Sequence, residues 1–110
     1  MMNWELFFLG TGRARKPVEE FIDKLDEGTK SKVLRILELL EEYGPALRMP
    51  YSKKISSNLF ELRVRGKIEI RIFYAFKQNL IYPLHAFVKK TQTTPRRELE
   101  TALQILKLLN

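Results

Sequence analysis

The residues best equipped for chemistry are cationic and fall in one block: Lys53 and Lys54, Arg63 and Arg65 in LFELRVR, Arg71 in IEIRIFY, and Lys89 and Lys90 in LHAFVKK. Arginines on alternating strands project guanidinium groups from one face of a sheet, and a guanidinium's planar fork of donors matches the oxygens of a phosphate. Lysines at a strand end add point charges beside it. Such a surface suits the binding and polarising of phosphate, which points to nucleic acid. The single histidine, His85, excludes a His–His acid–base pair; it reads first as a packed or hydrogen-bonded strand residue and second as a proton carrier.

Other chemistries find little support. The chain has no cysteine, so disulfides, thiolate metal sites and a cysteine nucleophile are excluded. There is no HExxH helix, no phosphate-cradling glycine-rich loop and no GxSxG elbow. A metal-independent phosphodiester chemistry is left, and no cofactor is expected. Twenty Lys and Arg against thirteen Asp and Glu give a formal net charge of +7, which favours a polyanionic partner through counterion release.

The elements must place these cations. The length of 110 residues predicts one domain, 1–110, with room for a real core. Residues 3 to 9 (NWELFFL), closed by Gly10-Thr11-Gly12, suit a first strand. Pro17 opens a helix with Val18, Phe21, Ile22 and Leu25 on one apolar face, and Gly28 is its expected end. A second helix is predicted over Thr29 to Tyr43, burying Val33, Ile36, Leu37 and Leu40 and stopped by Gly44-Pro45. A loop then carries Arg48, Pro50, Lys53 and Lys54. Three strands follow, Leu59 to Arg65, Ile68 to Phe76 and Leu80 to about Lys89, joined by hairpin-short turns and therefore antiparallel. Thr94 as N-cap and Pro95 start a closing helix with Leu99, Ala102, Leu103 and Leu106 on one face. The predicted fold is α+β, a small antiparallel sheet packed against an N-terminal helical hairpin and a C-terminal helix in the order β-α-α-β-β-β-α. No segment approaches the roughly 20 apolar residues of a membrane span, and no signal-peptide pattern opens the chain. A soluble cytoplasmic protein with no membrane association is expected.

Period-two alternation assigns faces. Phe60, Leu62 and Val64 should meet the helices, leaving Glu61, Arg63 and Arg65 on the open side; Ile70, Ile72 and Tyr74 share the buried parity, leaving Glu69, Arg71 and Phe73 opposite. Arg63 and Arg71 thus share a face, where they either stay free for a ligand or pair with Glu61 and Glu69. The last strand is apolar on both parities. Without a bulge at Pro83, His85, Phe87 and Lys89 join the arginines; with one, His85 turns inward.

Taken in order, PVEEFIDKLD, LELLEEYG, LRMPYSKKI, LFELRV, IRIFYAF, LHAFVKKTQTTP and RRELETA resemble the RelE/HigB superfamily of toxins from type II toxin–antitoxin systems, in its HigB-like, phage-derived branch. The resemblance implies a translation-inhibiting endoribonuclease (a hydrolase in the broad sense) that binds and cleaves mRNA on the ribosome. It also implies a cognate helix-turn-helix antitoxin. By motif position it assigns Arg63, Arg71, Lys89 and Lys90 to the active surface, and Lys53 and Lys54 to the basic loop before it.

On that basis the expected reaction is attack of a 2′-hydroxyl on the adjacent phosphate, giving a 2′,3′-cyclic phosphate without a metal. Arg63 and Arg71 would clamp the phosphate and stabilise its developing charge. Lys54 or Lys89 is the expected general base, with His85 as the alternative. Lys53, Arg65 and Lys90 would hold the RNA backbone, and Phe73 or Phe87, if exposed, would stack on a base. Arg71→Ala is expected to abolish activity in a folded protein. The competing readings are a non-catalytic nucleic-acid-binding module and a gyrase inhibitor on the same scaffold.

Overall fold

The computed structural model describes residues 4–10 and 15–109. Asn3 and Thr11-Gly12, read above as the start and the closure of the first strand, lie outside the described residues. Among the described residues five strands and three helices form: β1 (Glu5–Leu6), α1 (Pro17–Asp23), α2 (Glu27–Tyr43), β2 (Ser52–Ser56), β3 (Leu59–Val64), β4 (Ile70–Lys77), β5 (Leu80–Val88) and α3 (Arg96–Leu109), with a short 3₁₀ turn at Gly44–Ala46.

Local chemistry sets the helix ends. Proline at the first position of α1 costs no hydrogen bond there. The helix stops at Asp23, earlier than expected, because Asp26 takes the N-cap of α2: its carboxylate accepts from the Thr29 amide at 3.2 Å and from the Thr29 hydroxyl at 2.7 Å. Those bonds hold the Asp26 carboxyl below its usual range. Gly28 therefore lies inside the first turn of α2 and terminates nothing. At the other end Gly44 caps α2 with φ +52°, and a Cβ there would stand 2.6 Å from Cδ1 of Trp4. Left-handed geometry and the indole's close approach both require glycine.

The sheet is mixed, where an antiparallel one was expected. Its order is β1-β5-β4-β3-β2; β1 pairs parallel with β5, and the other neighbours are antiparallel. The long crossover through α1, α2, β2, β3 and β4 separates β1 from β5, and a parallel pair needs such a connection. β2 is a further correction: SKKIS pairs with β3, although its mostly exposed polar residues read as loop.

Alternation in β3 and β4 holds. On one face Val18, Ile22, Val33, Leu37 and Leu40 of the helical hairpin pack on Leu62, Val64, Ile70, Ile72, Tyr74 and Ile81. On the other face Leu59, Phe73, Ala75, Leu84 and Phe87 lie under Ala102 and Leu109 of α3. In β5 the register slips between Phe73↔His85 and Tyr74↔Pro83, so Leu84 is the extra residue of a bulge. Pro83 falls just beyond the last residue that β1 pairs, Ile81, where a missing N–H is tolerated. The bulge puts Ile81 on the hairpin face while Phe87 faces α3. The face expected to be open is thus half covered, and only its charged end remains a cleft.

Candidate nucleic-acid interface

Across the exposed end of the sheet the register brings Glu61 between Lys53 and Phe73, and Arg63 beside Arg71. Two arginines directly opposite each other repel. Glu61 resolves this. Its Oε1 accepts from Arg63 Nε at 3.3 Å and from Arg71 Nη1 at 3.0 Å, while its Oε2 accepts from the Thr94 hydroxyl at 2.9 Å. Arg71 also donates from Nε to Glu69 at 3.0 Å, and its Nη2 pairs with the same carboxylate. That donation holds the Glu69 carboxyl below its usual range, against a smaller opposing effect of burial. Arg71 and Glu61 are only 4% and 3% exposed. They form a buried ionic lattice whose partners satisfy each other.

Above this lattice lies a cleft of about 850 Å³ lined by Lys53, Arg63, Arg65, Arg71, Lys89 and Lys90, with Glu61 and Glu69 as its carboxylates. Cations exceed anions six to two. One wall is the loop Thr91 to Thr94, held by Lys89: its Nζ donates to the carbonyls of Thr91 at 2.7 Å and Gln92 at 2.8 Å. The Lys89 amide also donates to Glu69 O at 2.9 Å, joining the strand end to the cleft floor. Arginine side chains at fixed positions over a shaped concavity form a preorganised anion site.

A model of the family described as phage derived protein Gp49-like matches residues 20–107, a span that includes every residue lining the cleft. The chain belongs to this Gp49-like family. No curated protein matches it significantly. Membership suggests a toxin-like role with an antitoxin partner. Among the described residues of this Gp49-like chain no helix is long and apolar enough to cross a membrane. No three of its described His, Asp or Glu residues gather as a metal cage.

The cleft brings together Arg63, Arg65, Arg71, Lys53, Lys89 and Lys90, with Phe73 buried in its floor, but not Lys54, His85 or Phe87. Lys54 pairs in register with Phe60 and so lies on the hairpin side of the sheet, one residue out of phase with Lys53. His85 sits beyond Phe73 and turns to α3: its Nε2 lies 2.6 Å from Glu98 Oε1, and its ring stacks on Phe87 at 5.8 Å. The bulge therefore puts His85 neither in the hairpin core nor in the cleft. Phe73 and Phe87 are buried beneath α3 and stacked on each other at 5.9 Å, so neither presents a face to a base. Arg71 is present as expected but is occupied by carboxylates on both sides. The residue that sequence reading underweighted is Glu61. The signal was available in the hairpin register, which places two arginines opposite each other and makes a carboxylate next to them necessary.

Proposed function

We propose that this Gp49-like chain is the toxin of a toxin–antitoxin pair, of the RelE/HigB type, and that it cleaves mRNA on the ribosome as a metal-independent endoribonuclease. The observation that carries the proposal is the cleft, in which six cations surround two already paired carboxylates on a rigid sheet. Arg63 and Arg65 contact the scissile phosphate and stabilise the charge that develops when the 2′-hydroxyl attacks it. Lys53 and Lys90 neutralise flanking phosphates. Arg71 acts at one remove: through Glu61 it fixes Arg63. Lys89 fixes the loop that closes one wall.

The proton acceptor is supplied by the ribosomal complex. Inside the cleft Glu61 already accepts three donors, the hydrogen bonds from Arg71 lower the affinity of Glu69 for a proton, and Lys89 donates to two carbonyls. Free RNA should accordingly be a poor substrate. The same occupancy favours a second reading, a non-catalytic RNA-binding module, whose signature is salt-dependent binding with intact RNA.

Primer-extension mapping of a defined mRNA in a purified translation system, with and without ribosomes, tests the proposal. Cuts are expected only with ribosomes, and Arg65→Ala should reduce them on the order of 100-fold, as loss of one transition-state donor does. Arg65 is exposed, so its removal leaves the buried lattice intact. Intact mRNA in every condition would remove the nuclease and advance the binding module or gyrase inhibition.

A further inference from the structure

Beside the cleft, around the end of β3, lies a second and smaller pocket of about 260 Å³, walled by Pro50 and Tyr51 and floored by Ile36 and Val64. Four cations line it: Lys32 and Arg35 from α2, and Arg63 and Arg65, which also line the cleft. No carboxylate lines it. Among the described residues Lys32, Arg35 and Arg65 make no salt bridge, in contrast to Arg63 and Arg71. β2 begins at Ser52, just after Tyr51, and Tyr51 O accepts from the Arg63 amide at 2.7 Å, which fixes the backbone of Tyr51 at the rim. Its side chain remains accessible, the residue being 39% exposed.

We infer that this pocket is a nucleobase subsite, in which Tyr51 stacks on an unpaired base of single-stranded RNA flanking the cleft while Lys32 and Arg35 hold its phosphate. The inference rests on the RNA reading of the cleft and extends it. Two observations select this occupant. The pocket combines an aromatic and aliphatic wall with four cations, three of them without a salt bridge among the described residues, and no carboxylate, the combination that sequence-tolerant single-strand sites use. It also shares Arg63 and Arg65 with the cleft, so a strand held by these arginines in one pocket is brought to the edge of the other. Tyr51 thus fills the role that Phe73 and Phe87 are too deeply buried to play.

The test is fluorescence anisotropy of the full chain with a labelled single-stranded RNA long enough to cross both pockets, titrated over a range of salt concentrations. Tyr51→Ala should weaken binding roughly tenfold and Tyr51→Phe should restore it, since stacking needs the ring and not the hydroxyl. Arg35→Ala should lower the salt slope by about 0.7, one phosphate contact to a single strand. An abasic position in the flanking RNA should abolish the difference between wild type and Tyr51→Ala. Lys53→Ala, in the cleft alone, separates the two readings. If Lys53→Ala weakens binding but Tyr51→Ala and Arg35→Ala bind like the wild type, the cleft stands and the subsite is overturned. If the wild type binds no RNA at low salt, both fall.

Discussion

The two faces of this sheet handle buried polarity in opposite ways. On the hairpin side, aliphatic packing is interrupted by one neutral pair, the Ser52 and Tyr74 hydroxyls, which hydrogen-bond to each other inside the core. On the α3 side the charged end buries full ions, Glu61 and Arg71, and sets them among further ions. A neutral pair needs only one partner to be satisfied. An ionic lattice loses balance when any member is removed, because the remaining charge stays buried. The hairpin side therefore contributes mostly stability, whereas the charged end holds cations in place for a ligand at a cost in desolvation.

The largest expected effect follows from that contrast. Glu61→Ala leaves Arg71 with one carboxylate and Arg63 with none, and should destabilise by about 3–5 kcal/mol, the range for breaking a buried pair. Its chain neighbour Leu62, buried on the opposite face, should lose about 2–5 kcal/mol as Leu62→Ala by cavity formation alone. Urea melts distinguish the mechanisms. A Glu61→Ala/Arg71→Met double variant should recover much of the Glu61→Ala loss, and no recovery would mean that the lattice is not held by charge balance. Arg71→Ala should likewise destabilise, contrary to the sequence-based expectation of an intact fold. Loss of toxicity in that variant would not identify a catalytic contact, and exposed Arg65 is the better probe.

The neutral pair gives a pH-dependent counterpart. Burial pushes the Tyr74 phenol up to about 12, with the Ser52 hydrogen bond acting weakly the other way. Below pH 10 the phenol is protonated in the folded and unfolded chain alike, and its contribution is fully present. Between pH 10 and about 12 the unfolded chain ionises while the folded one keeps its proton, so stability falls as pH rises across that window. The loss amounts to about 2–3 kcal/mol at 1.36 kcal/mol per pKa unit. Tyr74→Phe should be free of it. Parallel midpoint curves for the two proteins above pH 10 would show that burial does not govern this tyrosine.

How much of this arrangement was readable in advance varies along the chain. Period-two alternation was decisive in β3 and β4, where one face is buried in aliphatics, and it put Arg63 and Arg71 together correctly. It failed in β5 because Leu80 to Val88 is apolar on both parities and a one-residue bulge at Leu84 reverses the facing midway. β2 escaped detection because among the described residues it pairs with β3 alone and its side chains are mostly solvated, so SKKIS carries no periodic signal. That Lys54 falls outside the cleft was hidden for the same reason, since only a strand register distinguishes it from Lys53. Composition does not disclose that α3 lies over Phe73 and Phe87, since this depends on where the closing helix docks.

The smallest predicted effect concerns His85, whose place at the boundary of the two halves of the α3 face makes it a sharp control. Its imidazole joins β5 to α3 through Glu98, with side chains 25% and 18% exposed, and it does not line the cleft. A tie so near solvent is worth about 1 kcal/mol or less. His85→Ala should therefore lower the urea midpoint slightly while leaving ribosome-dependent cleavage near the wild-type rate. Glu98→Gln should lose less, because its amide can still hydrogen-bond the ring once the carboxylate is gone. If His85→Ala instead abolished cleavage in a stably folded protein while Glu98→Gln retained it, the imidazole itself would be carrying a proton. The catalytic surface would then extend from the charged end of the face into the part now assigned to packing.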